Sequence, residues 1–191
     1  MLNRLYQKIG AFYGDTPLVF GEGNARASLL VIGEAPGREE VIKRRPFVGK
    51  AGKTLDGFLQ AVNLARADIY ITNVCKFRPH KISDRGTVSN RPPTKEEIGQ
   101  ASGFLREEIA LITPQTIVTL GNTPLRAVLN DFSATIGAYH GQARKCKLDG
   151  KQYTLFALYH PASIIYNPAL KEIYGADLKA LGTYLENANK T

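Results

Sequence analysis

LLVIGEAPGREEVIKRRPFVGKAG, residues 29–52, is the stretch on which the fold turns. Leu29-Leu30-Val31-Ile32 is a continuous apolar run of strand length, and Gly33-Glu34-Ala35-Pro36-Gly37 breaks it with turn formers. A charged loop over residues 38–45 leads to Pro46-Phe47-Val48-Gly49-Lys50-Ala51-Gly52, and helical spacing follows. In α/β proteins, ligands bind where a buried strand ends in a Gly/Pro turn and feeds a helix. The stretch therefore predicts a pocket that the other elements shape.

Upstream, Leu2, Leu5, Tyr6 and Ile9 share one helical face, and residues 13–27 read as loop. Downstream, Leu55, Phe58, Leu59 and Val62 mark a helix over residues 53–64. Residues 68–75 (DIYITNVC) are β-branched and aromatic, which predicts a second strand. Residues 76–93 form a long basic loop, a length that goes with function or mobility inside a compact domain. Thr94 and Glu97 make a capping box for a helix running to about Ile112. Residues 115–120 (QTIVTL) are a third strand and residues 123–129 a short helix. Asp149-Gly150 signals a hairpin between residues 145–148 and 152–158. Residues 168–186 close the chain as a helix.

Strands alternating with helices predict one α/β domain over residues 1–191, a parallel sheet with helices on both faces. The strand ends at Gly33-Glu34, Asn73 and His160-Pro161 then share one edge, where sequence-distant groups converge.

Lys and Arg number 25 against 17 Asp and Glu, a formal charge of +8. That excess fits a polyanion partner, because cations that neutralise phosphates release counterions. It equally fits a protein that charge keeps dispersed. No apolar run is long enough to span a membrane, and the first residues lack a signal-peptide pattern. A cytoplasmic protein with no membrane partner is expected. Cys75 and Cys146 stand far apart and in no CxxC pair, so they cannot build a four-thiolate site. Both are expected to be reduced, with Cys75 in the core.

GxGxxG, a GKS or GKT ending, GxSxG and HExxH are all missing, which argues against an NTPase or a metal-dependent hydrolase. The chain offers instead an exposed aromatic in a Gly-rich loop (Phe47), an amide at a strand end (Asn73), a histidine before proline (His160) and a carboxylate after a strand (Glu34). Singly, each has a structural reading: core aromatic, turn cap, satisfied histidine, surface carboxylate. Together they describe a slot for a flat polar ring, with a face to stack on, an amide to read an edge and an imidazole to donate to an oxygen. A flipped base is read in this way.

Four segments then stand in register: GEAPG (residues 33–37), PFVGKAG (46–52), YITNVCKFRP (70–79) and HPASIIYNP (160–168). By these motifs the chain resembles the uracil-DNA glycosylase superfamily over residues 18–170, and most closely its family 4 enzymes of bacteria and archaea. The resemblance implies a three-layer α/β/α sandwich with a central, mostly parallel four-stranded sheet. It implies a monofunctional repair hydrolase that flips uracil out of DNA and cleaves its N-glycosidic bond, leaving an abasic site. Phe47 matches the aromatic that stacks on uracil, and Asn73 the amide that pairs with N3–H and O4. His160 matches the histidine that donates to O2, and Glu34 the carboxylate near the attacking water. Gly33 and Ala35 line the slot.

Gly37 stands where the best-known branch has a bulky aromatic against the thymine methyl, so Glu40 is the candidate to fill that space. Ala35 stands where that branch has a catalytic aspartate, which leaves water activation to Glu34 or to a water held by backbone. Ser163, Ile164, Ile165 and Tyr166 lie on the superfamily's wedge loop, and Ile164, Ile165 or Tyr166 is the wedge. Lys50, Lys76 and Arg78 are candidate phosphate contacts, with Lys43, Arg44, Arg45, Lys81, Arg85 and Arg91. The expected partner is uracil-containing DNA, single- or double-stranded, bound by a monomer.

Family 4 enzymes carry four cysteines that hold a 4Fe–4S cluster. Counted from the shared motifs, those positions fall near Tyr6, Ile9, Phe77 and Ala101, none of them cysteine. No cofactor and no metal are therefore expected, with apolar packing instead. An iron–sulfur absorbance band with stoichiometric iron in the pure protein is the result that overturns this. The loop over residues 79–92 is longer than the common family 4 form. A related branch has a basic loop here whose histidine traps DNA covalently. Asn90 takes that histidine's place, so backbone contact is expected of the loop. Two rival functions remain: excision of hypoxanthine or xanthine, against which Asn73 argues, and a catalytically silent DNA-binding relative, against which Phe47, Asn73 and His160 argue.

Overall fold

The computed structural model describes residues 1–188, and residues 189–191 of the expected domain lie outside the described residues. In chain order the elements are α1 (Leu2–Tyr13), β1 (Glu22–Gly23), β2 (Leu29–Gly33), α2 (Arg38–Lys43), α3 (Lys50–Ala61), β3 (Tyr70–Asn73), β4 (His80–Ile82) and β5 (Val88–Asn90). Then come α4 (Lys95–Ile112), β6 (Thr116–Leu120), α5 (Asn122–Leu129), α6 (Ile136–Tyr139), β7 (Ala143–Leu148), β8 (Lys151–Leu158), α7 (Pro161–Tyr166) and α8 (Leu170–Ala188).

The central sheet has the order β1-β3-β2-β6-β8-β7. Its middle is the expected four-stranded parallel sheet, β3-β2-β6-β8. Two antiparallel strands extend it to six, β1 beside β3 and β7 beside β8. β2 is buried at every position because helices cover both faces, which is why its apolar run is unbroken. Leu30 and Ile32 point into a core closed by Ile98, Leu105 and Ile109 of α4 and Leu125 of α5. Leu29 and Val31 point into a second core with Leu55 and Phe58 of α3 and Leu181 of α8. The capping box of α4 forms: Glu97 N–H donates to Thr94 Oγ1 at 3.1 Å, and Thr94 N–H to Glu97 Oε2 at 2.7 Å. No helix among the described residues is long and apolar enough to cross a membrane.

Three segments read as loops are ordered. Residues 38–43 of the charged loop form α2, too short to show periodicity but fixed where Gly37 N–H donates to Glu40 Oε2 at 3.1 Å. The basic loop contains a hairpin, β4 with β5, which its polar composition concealed. The wedge loop is α7, with His160 as N-cap and Pro161 in the first turn. A His-Pro pair reads as a turn, yet proline's fixed φ also suits the first helical position.

Candidate functional site

The parallel pairing of β2 with β3 sets Gly33 beside Asn73. The ladder continues past both strands: Val74 N–H donates to Gly33 O at 2.9 Å, and Cys75 N–H to Glu34 O at 3.1 Å. A Cβ on Gly33 would collide with both the Asn73 carboxamide and the Phe47 ring. Glycine is therefore what lets the ring and the amide meet over this strand end. Asn73 is 3% exposed, and among the described residues its carboxamide makes no hydrogen bond to protein. Both ends of the amide are left for a ligand.

Phe47 was expected to be exposed and is only 5% exposed, because its ring packs over Gly33 and into the second core. Its backbone is left-handed, φ 53°, an uncommon conformation for a bulky residue. Arg66 holds it there, donating to Phe47 O at 2.5 Å and to Pro46 O at 3.4 Å. Gly52 has no Cβ because one would run into Phe47 O.

His160 faces Phe47 across 6.4 Å between ring centroids. Ala162 N–H donates to His160 Nδ1 at 3.1 Å. A backbone amide only donates, so Nδ1 carries the lone pair and the neutral ring carries its proton on Nε2. Burial pushes the imidazole down from 6.5 to about 4, which keeps that tautomer neutral at physiological pH.

Glu34, Ala35, Gly37, Glu40, Phe47, Lys50, Asn73 and His160 line one cleft of about 420 Å³, a volume in the range of small-ligand sites. Thr123 Oγ1 donates to Glu34 Oε2 at 2.5 Å and fixes that carboxylate from α5. Glu40 occupies the space beside Gly37, and its carboxylate also accepts from Val48 N–H at 3.1 Å and Gly49 N–H at 2.8 Å. It braces α2 against the loop that carries Phe47. Sequence reasoning missed two contributors, Thr123 and Arg66, and took Asn90 only for part of a loop expected to contact backbone. Asn90 lines the cleft from the hairpin, with Arg78 donating to its Oδ1 at 2.6 Å. The signal for Asn90 was its place opposite a branch histidine; Thr123 and Arg66 leave none.

Among the expected phosphate contacts, Lys50 is exposed at the cleft and Arg78 is half-buried beside Asn90. Lys76 is corrected. It is 2% exposed, and its ammonium is consumed by Glu108 Oε2 at 2.6 Å, Thr72 Oγ1 at 2.6 Å and Asn73 O at 2.7 Å. Arg45 and Arg91 are held by Glu22 and Glu97. On α7, Ile164 packs against the second core and Ser163 is half-buried, whereas Ile165 and Tyr166 are 49% and 86% exposed. Those two alone stand free to wedge.

The positions of the family 4 cysteines do not fit a cluster. Tyr6 stacks on Phe20 with centroids 4.2 Å apart and donates to Glu108 Oε1 at 3.0 Å, with Tyr70 OH as its other neighbour. Burial pushes the Tyr6 and Tyr70 phenols well above their ordinary range. Ile9 and Ala101 are core residues, and Phe77 tilts against Tyr13. Among the described residues no three His, Cys, Asp or Glu side chains are grouped to hold a metal ion. Burial pushes the lone nearby thiol, Cys75, up to about 12.

Residues 20–181 match the family model described as the Uracil DNA glycosylase superfamily. A Type-4 uracil-DNA glycosylase of Archaeoglobus fulgidus is 39% identical over 170 residues, which cover 87% of this chain and 81% of that protein. A Type-4 uracil-DNA glycosylase of Thermotoga maritima is 34% identical over 173 residues, 90% of this chain and 84% of that protein. The crystal structure of Pedobacter heparinus SMUG2 superposes with a TM-score of 0.56, over 99% of this chain and 85% of that one. At 18% identity that likeness speaks to the fold alone. A cleft built from two parallel strand ends, a buried phenylalanine and a neutral histidine thus sits on a chain whose family match runs almost end to end, and the chain belongs to the uracil DNA glycosylase superfamily.

Proposed function

We propose that this chain is a uracil-DNA glycosylase that hydrolyses the bond between uracil and deoxyribose in DNA, leaving an abasic site for repair. The convergence of Asn73, Phe47 and His160 on one cleft carries the reading. Uracil presents N3–H beside O4, and the unpartnered Asn73 amide complements that edge. Phe47 supplies the stacking face. As the glycosidic bond breaks, negative charge gathers on the base and positive charge on the sugar. Nε2–H of His160 donates to O2 where the charge develops, so the interaction strengthens towards the transition state. Glu34, held by Thr123, faces the cationic sugar and the incoming water. The similarity to Type-4 uracil-DNA glycosylases supports the same substrate. The chain acts as a monomer on single or double strands, in the cytoplasm and without a cluster, since the side chains at the cluster positions supply no thiolate.

The test is excision from oligonucleotides carrying one uracil, hypoxanthine or xanthine, single-stranded and in duplex, read by alkaline cleavage. Uracil is the base removed; preference for hypoxanthine or xanthine, or no excision at all, overturns the reading. In the same assay His160→Ala loses ~10²–10³ in rate, the usual loss for an oxyanion donor. Glu34→Gln loses less, because leaving-group stabilisation dominates.

The pH profile separates the roles further. A depressed His pKa means that between about pH 4 and 6.5 the unfolded chain binds a proton that the folded chain refuses. The stability this group contributes is present above 6.5 and falls as pH drops towards 4. The neutral donor persists through 6.5, so kcat/KM of the wild type shows no His160 inflection there. An inflection near 6.5 that disappears in His160→Ala is the contrary result.

A further inference from the structure

The hairpin β4–β5 has two unlike faces. His80 pairs with Asn90, Lys81 with Ser89, and Ile82 with Val88. Side chains alternate along a strand, so His80, Asn90, Ile82 and Val88 share one face. Asn90 identifies that face as the one that lines the cleft. Followed outward, it ends in a directly opposed aliphatic pair: Ile82 is 64% exposed and Val88 47% exposed. The fold gives these two side chains no work. They belong to neither core, and their strands pair only with each other. The hairpin is tied down at its base, by Arg91 N–H to Pro79 O at 3.2 Å, Arg78 to Asn90 and Arg91 to Glu97. Lys81, paired with Ser89, lies on the hairpin's other face and Arg85 in the turn between the strands; both are exposed, and Asp84 is the only acid in the hairpin.

A hairpin that carries exposed cations at its edge and turn and an exposed apolar pair on one face fits a partner that is both anionic and flat-faced. A single DNA strand offers that combination, because its bases expose their faces while its backbone carries the charge. A duplex hides those faces in its stack. The pair lies on the same hairpin face as Asn90, which lines the cleft.

We propose that Ile82 and Val88 cover the face of an unpaired nucleobase adjacent, in the same strand, to the base held in the cleft. This rests on the cleft being a base site. The hairpin is thus a platform for single-stranded DNA, rooted at a different part of the cleft lining from α7, which carries Ile165 and Tyr166.

The experiment measures binding of the full chain to a labelled, uracil-free single strand and to the matching duplex, by fluorescence anisotropy across salt concentrations. Ile82→Ser/Val88→Ser weakens single-strand binding about tenfold, the loss expected for one stacked base, and duplex binding less than about twofold. The slope of log Kd against log salt is unchanged, because no charge is removed. Lys81→Ala/Arg85→Ala instead flattens that slope by about 1.4, two phosphates at ~0.7 each. Ile82→Tyr tightens single-strand binding, which a merely structural role would not do. Wild-type affinity in the double serine variant overturns the proposal. So does equal loss on both DNAs, which indicates a groove contact, or a wild-type dimer that the variant converts to monomer. Because this DNA carries no uracil, binding is read apart from catalysis: a wild type that binds it through the hairpin yet excises nothing from the uracil-containing oligonucleotides overturns the glycosylase reading and leaves the platform standing.

Discussion

Asn73→Asp loses about 10⁴-fold in kcat/KM on uracil-containing DNA, the order by which a site built around a buried hydrogen bond rejects a mismatched partner. Asn73 is buried at the end of β3, and the continued β2–β3 ladder fixes its backbone. In the proposed function its amide accepts from uracil N3–H and donates to O4. An ionised carboxylate only accepts, so it turns lone pairs towards O4 and sets a charge beside a base that is itself becoming anionic. Both effects grow along the reaction, so the loss falls on kcat as well as KM. Single-turnover kinetics on the folded variant make the measurement. A loss within tenfold shows that another group reads the base.

Lys76→Met destabilises the protein by about 3–5 kcal/mol, the cost of leaving one partner of a buried ion pair alone. Glu108 is fully buried, and its carboxylate also accepts from Tyr6 and Thr72. Without the ammonium the carboxylate is left in a closed space with no cation beside it. Lys76→Met/Glu108→Leu recovers part of the loss, because no lone charge remains and only the bonds that Tyr6, Tyr70 and Thr72 donate to Glu108 are lost. Urea denaturation with a common m-value reads both variants. A single variant within about 1 kcal/mol of wild type shows that the pair contributes little. Lys76 also donates to Asn73 O, so the same substitution loosens the backbone beneath the base-reading amide.

The sequence carried the frame of the fold because its signals were local. The run Leu29–Ile32, the Thr94–Glu97 capping box and the Asp149-Gly150 turn each depend on neighbours within a few residues, and each formed. Asp149 and Gly150 both adopt positive φ, as such a turn requires. What escaped depends on tertiary placement. Lys76 lies in a basic segment, and composition cannot separate one buried ammonium from its solvated neighbours. Glu108 did leave a trace. It stands on the buried face of α4 with Ile98, Ala101, Leu105, Ile109 and Ile112, where a carboxylate demands a partner. Arg66 was out of reach because its work depends on the φ of Phe47. The cleft lining was legible where motifs marked it, at Glu34, Phe47, Asn73 and His160; Asn90 was marked by its place in the basic loop, but its reach to the cleft depends on a hairpin hidden in polar sequence.

The bond from Ala162 N–H to His160 Nδ1 has a consequence for both groups that share it. It begins the helix α7 and it chooses the tautomer, so one free energy governs local helicity and proton address together. A substitution that frays the first turn of α7 releases the imidazole to exchange its proton between nitrogens, and the cleft then meets a lone pair in part of the population. The ¹⁵N shifts of this ring are accordingly a gauge of how well a short helix is wound.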